Sequence, residues 1–225
     1  MVSTDMRLAM AAVVVMLMAA CAHTAGSGRL ASVGSSPTGI MRVNPANIKR
    51  VARELPGGYE VTGLAAAAVP ASVWGLGTDF TAHPAQCASL ADPVHGRNET
   101  GQGLSGSGSG GIVYAAVASA PANVDAAVIT QCRQWTMATQ HASAAVHLVE
   151  PPHIDGIQTV GMASETTTSV EGGTQIASQA QTFAAYLGDY YAYTILITDP
   201  GSVHSPLPPQ FVADLLVKTV SALRG

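Results

Sequence analysis

Between Ala144 and Thr198 the chain reads as four strand-like segments in close succession: 144–149, 156–168, 174–186 and 190–198. Gly172-Gly173 and Leu187-Gly188-Asp189 provide short connections of hairpin type, and such connections can only join strands that run antiparallel. A fifth strand pattern spans Gly111–Ser119 and a sixth runs from Tyr59 to Val69. A sheet built this way buries one side chain in two, so helices are needed to cover it.

Three segments predict helices. Asn44-Pro45 supplies an N-cap followed by proline at the first helical position, and Ile48, Val51, Ala52 and Leu55 fall on one face before Pro56-Gly57-Gly58. Pro121-Ala122-Asn123 opens a second helix running to about Thr139, with Val124, Val128, Cys132 and Trp135 on its inward stripe. Pro208-Pro209 starts a third, on which Val212, Leu215, Leu216, Val220 and Leu223 form an apolar face. The fold class expected is α+β: a mainly antiparallel sheet with helices packed on one face and one disulfide. The remaining stretch, Pro70 to Gly110, predicts a long irregular loop. Within it Gly101-Gln102-Gly103-Leu104-Ser105-Gly106 matches G-x-G-x-x-G, but no helix follows to receive a phosphate, so it reads as a Gly/Ser-rich loop.

The N-terminus sets the compartment. Leu8 to Ala20 is apolar, follows Arg7, and is shorter than the ~20 residues of a membrane-spanning helix. Residues 1–20 therefore read as a lipoprotein signal peptide. Met18-Ala19-Ala20-Cys21 resembles a lipobox, which makes Cys21 the site of acylation and of contact with membrane lipid; an ordinary signal peptide ending near Ala20 is the alternative. Residues 21–43 are rich in Gly, Ser and Thr and read as a flexible tether, leaving 44–225 as the domain. In an exported chain Cys87 and Cys132 most simply pair with each other. Free buried thiols are the alternative, and metal ligation fits less well because neither cysteine stands in a C-x-x-C.

Charged residues make up 11% of the chain and the net charge is −4, which gives a nucleic-acid-binding role no electrostatic basis. The positive charges nevertheless cluster, with Arg42, Lys49, Arg50 and Arg53 forming a membrane-proximal basic face. Such residues could meet anionic headgroups, or simply be a solvated helix face. On the strands Thr166, Thr168, Gln179, Gln181, Tyr191 and Tyr193 are candidates to line a polar ligand cleft; ordinary outward-facing strand chemistry is the alternative. No G-x-S-x-G, H-E-x-x-H or S-x-x-K is present. The regular spacing of His141, His147 and His153 places no two on adjacent helical turns. No catalytic residue, metal or cofactor is therefore expected.

Leu55-Pro56-Gly57-Gly58-Tyr59-Glu60-Val61, Trp74-Gly75, Cys87-Ala88-Ser89-Leu90-Ala91-Asp92-Pro93 and Cys132-Arg133-Gln134-Trp135, downstream of a lipobox and tether, carry a resemblance. The pattern resembles actinobacterial, chiefly mycobacterial, envelope lipoproteins whose domain of unknown function is similar to the extracellular sensor domain of the kinase PknH. That resemblance implies a compact α+β domain with a ligand-binding cleft, but this chain can form one disulfide where the kinase sensor has two. The expectation is a non-enzymatic, membrane-anchored extracytoplasmic lipoprotein that binds a small molecule, lipid or glycan. The alternative is a protein–protein interaction module of the envelope with no small ligand.

Overall fold

The computed structural model describes residues 42–64, 69–94 and 100–225. The expected signal peptide, Cys21 and the expected tether up to residue 41 lie outside the described residues. Nine strands form one sheet: β1 (Glu60–Leu64), β2 (Thr81–His83), β3 (Gly101–Gly108), β4 (Gly111–Ala122), β5 (Gln134–Ala138), β6 (Ala142–Val149), β7 (Gln158–Ser169), β8 (Gln175–Tyr186) and β9 (Gly188–Thr198). Their spatial order is β1-β3-β4-β9-β8-β7-β6-β5-β2, with every neighbouring pair antiparallel. The C-terminal meander β5–β9 is thus closed onto the hairpin β3–β4 through the long β4–β9 pair, in which Ala115 lies opposite Thr194.

The pleat divides the apolar residues between two cores. On the first face Trp135, Met137, Val146, Met162, Tyr191, Tyr193 and Ile195 are buried beneath a segment carrying α1 (Pro70–Val73) and α2 (Ala88–Ala91). On the second face Val113, Val117, Phe183, Ala192 and Leu196 pack against α4 (Pro209–Arg224) and an N-terminal 3-10 helix, Pro45–Glu54. The two longest helices therefore share one face, as expected. Each layer is fixed by a buried hydrogen bond from a strand threonine or to one. The Trp74 indole N–H donates to Thr182 Oγ1 at 3.0 Å on the first face, and Thr194 Oγ1 donates to the Val212 carbonyl at 2.8 Å on the second. Among the described residues no helix is long and apolar enough to cross a membrane.

The first helix is capped as expected, Asn44 Oδ1 accepting from Ala46 N at 3.1 Å, and it buries Ile48 and Val51. Three expectations need correction. The helix foreseen from Pro121 to Thr139 is only α3, Ala126–Gln131, and is followed by β5. Asp125 caps α3 by accepting from Ala127 N at 2.8 Å. The chain then leaves the helix at Cys132, and Trp135 and Met137 alternate with exposed Gln134, Thr136 and Ala138. The inward residues thus repeat every second position rather than at helical spacing. Second, residues 70–110 are not one irregular loop, since they hold α1, β2, a 3-10 turn at Ala85–Cys87, α2 and all of β3.

Third, the glycine-rich stretch 101–106 is strand rather than loop. Its glycines serve packing. A Cβ on Gly106 would lie 2.5 Å from Leu55 Cδ1, and one on Gly108 would lie 2.3 Å from the Tyr59 ring. The missing side chains let the turn after the 3-10 helix press onto the sheet.

Candidate functional site

Cys87 and Cys132 are disulfide-bonded and fully buried, closing a loop of 45 residues between the 3-10 turn and the end of α3. The six expected cleft residues are not brought together. Thr166, Thr168, Tyr191 and Tyr193 lie on the first face, where the segment from Pro70 to Val94 buries Thr166 and both tyrosines. Gln179 and Gln181 pair with Glu165 and Ala163 and lie on the second face, where Gln179 Nε2 donates to Glu165 Oε1 at 3.4 Å.

The tyrosines belong to the core. The rings of Tyr186 and Tyr191 are 5.3 Å apart, and those of Tyr191 and Tyr193 are 5.6 Å apart. Burial pushes the pKa of all three phenols up from the ordinary value of 10.0, and for Tyr191 the neighbouring Tyr186, Tyr193 and Asp92 add to the shift. The hydroxyls of Tyr186 and Tyr191 are buried without a hydrogen-bond partner among the described residues. Such groups cannot meet a ligand from solution. Arg42, Lys49, Arg50 and Arg53 are all exposed. His153 Nε2 lies 3.0 Å from Asp155 Oδ1 on the surface, and the described residues contain no cluster of metal-ligating side chains.

A different set of residues converges at one end of the sheet. Ile112 on β4 pairs with Ile197 on β9, and Ile176 and Ser178 on β8 stand beside them on the first face. Together with Gly108–Gly111 and the connection from Asp199 to Pro206 they enclose a groove of about 330 Å³. Ile112 and Ile176 are 39% and 53% exposed, although strand residues of their size are normally covered. The polar wall is held by its own turns. Asp199 Oδ1 accepts from Gly201 N at 2.7 Å, Ser202 Oγ accepts from His204 N at 3.2 Å, and Leu207 N returns to the Gly110 carbonyl at 2.9 Å.

The groove therefore offers an isoleucine floor with Ser178, Thr198, Asp199, Ser202 and His204 along one side. That is the usual composition of a small-molecule site: apolar area for affinity and a few polar groups for orientation. Sequence reasoning missed it because the floor comes from three strands whose register was unknown. One signal was visible in Gly172-Gly173-Thr174-Gln175-Ile176, where a lone isoleucine interrupts a polar hairpin start. A second depression, about 510 Å³, lies on the part of the second face left bare by α4; it is open, and His83, Gln134, Thr136, His147 and Glu165 supply its polar lining.

The architecture has a counterpart among solved structures. An uncharacterised protein of Mycobacterium smegmatis, an Rv0999 ortholog, superposes with a TM-score of 0.61 at 17% identity, covering 82% of this chain and 98% of that one. The extracellular domain of PknH from Mycobacterium tuberculosis gives a TM-score of 0.41 at 12% identity, covering 81% and 92%. No curated protein matches the sequence. Residues 44–224, nearly the whole of the described domain, fit the model of one family, and the chain belongs to it: the domain of unknown function DUF5642.

Proposed function

We propose that this protein is a lipid-anchored extracytoplasmic domain that binds an amphipathic small molecule, such as a lipid or a lipid-linked glycan fragment, and performs no chemistry on it. The observation that carries the reading is the groove at Ile112, Ile176 and Ile197, where exposed apolar area from three strands meets a preformed polar wall. The lipobox at Cys21 and the disulfide support an exported location, because disulfides persist in oxidising compartments.

The groove is tested with a dansyl-labelled long-chain fatty acid as fluorescent probe. Saturable binding is expected, and Ile176→Asp should weaken it at least about tenfold, the effect of losing one buried aliphatic contact. The thermal midpoint should stay unchanged, because Ile176 is half-exposed. Equal binding by both proteins would sink the groove reading. The anchor is tested separately. Cys21→Ser should move the protein from the membrane pellet, washed in high salt to release charge-held protein, to the soluble fraction of its producing cell, since attachment that survives salt needs the acyl chains; continued sedimentation after the wash would refute it.

Docking on another envelope protein is the second reading. It is favoured by the bare part of the second face, where Gln134, Thr136, Ala145, His147, Glu165 and Gln179 are exposed on adjacent strands.

A further inference from the structure

Positive charge is unevenly placed among the described residues. Seven lysines and arginines are present, and six of them, Arg42, Lys49, Arg50, Arg53, Lys218 and Arg224, lie on or directly before the 3-10 helix and on α4, all exposed. These two helices carry only two carboxylates. Glu54 holds Lys218 at 2.8 Å, and Asp214 accepts from Gln210 at 2.7 Å. Elsewhere the described residues carry ten carboxylates against the single guanidinium of Arg133. A chain with few charges and a net charge of −4 has thus separated them, with a positive helical layer over one face and a negative remainder.

Packing makes the layer one surface. Both helices cover the second face of the sheet, and Asn44 N donates to the Leu223 carbonyl at 2.8 Å. On a 3-10 helix residues three apart eclipse each other. Ile48 and Val51 point inward, Lys49 and Ala52 flank a separate depression beside β1, and the row of Arg50 and Arg53 is left to solvent. On α4 Val217 is 39% exposed among the outward residues.

We propose that this basic layer lies on an anionic lipid surface, with its guanidinium and ammonium groups on headgroup phosphates. Long, mobile cations around one exposed valine suit a fluid array of phosphates, in which each charge finds a partner without a fixed register. The orientation that results turns the first face, and the isoleucine groove with it, away from the lipid. The inference goes beyond the groove and does not need the acyl anchor, since the charges act with or without it.

The test uses the full chain carrying Cys21→Ser, mixed with phosphatidylcholine vesicles with and without phosphatidylglycerol. The leader and tether are common to every variant, so the change from one variant to the next reads the charged layer. Phosphatidylglycerol should strengthen binding, and added salt should erase the gain. Each neutralised cation should weaken the gain about fivefold, so Lys49→Gln/Arg50→Gln/Arg53→Gln together should lose about a hundredfold. Arg133→Gln and Ile176→Asp should leave it intact, which separates this result from failure of the groove. Equal binding to both vesicles, or an unchanged triple variant, would overturn the proposal. Tighter capture by polyglutamate than by the anionic vesicles would overturn it in favour of an acidic protein partner.

Discussion

Reducing the Cys87–Cys132 disulfide is expected to cost about 4 kcal/mol, since the bridge closes a 45-residue loop and the chain-entropy relation scales with the logarithm of that length. Domains of this size hold only about 5–15 kcal/mol in total, so the thermal midpoint should fall by roughly 10 °C. The two thiols fit where the bridge was, because both cysteines are fully buried among apolar neighbours. The loss should therefore appear as a loosened unfolded state rather than a damaged native one. Cys87→Ala/Cys132→Ala should behave like the reduced protein. An unchanged midpoint after verified reduction would show that the unfolded chain is already compact enough for the bridge to add nothing.

Alkaline pH should unfold the domain steeply. Tyr186, Tyr191 and Tyr193 have pKa values raised above the ordinary 10.0 by burial, so the folded state holds three protons that the unfolded state releases. Their contribution is complete below pH 10 and is lost as pH rises toward the folded-state values. Above pH 10 stability should fall by about 4 kcal/mol per pH unit, the linkage slope for three protons. Tyrosinate absorbance and far-ultraviolet dichroism should then change together in one cooperative step. Tyr191→Phe should make the fall about one-third shallower. Independent titration of all six tyrosines near 10 with the secondary structure intact would disprove the buried cluster.

The strands of the C-terminal meander were legible because glycine connections interrupt long alternating runs: β6 to β9 lie within two residues of their expected bounds. β3 was illegible for the opposite reason. Six of its eight residues from Gly101 to Gly108 are glycine or serine, which carry little strand propensity, and their purpose appears only once Tyr59 and Leu55 are seen lying over them. Val124, Val128, Cys132 and Trp135 fit a helical stripe by spacing alone, yet the cysteine and tryptophan reach the same core from a helix end and a strand.

The expected cleft failed on register. Tyr186 pairs with Tyr191 across the β8–β9 turn, so odd-numbered residues of β8 share a face with even-numbered residues of β9. Gln179 and Gln181 are thereby placed opposite to Tyr191 and Tyr193, a relation fixed by the length of one turn and invisible in residue types. The same register sets Ile112 beside Ile197 and leaves Ile176 uncovered.

The bond from Asn44 N to the Leu223 carbonyl joins the first residues of the domain to the last turn of its final helix. Synthesis delivers those two ends in opposite order. The 3-10 helix is made before the sheet, but Ile48 and Val51 share their core with Leu216 and Val220, which are made after it. Until α4 emerges, the 3-10 helix has neither its packing partner nor this backbone acceptor. A chain truncated within α4 therefore loses the seat of its first helix as well as its last, and the two ends mature as a single late event.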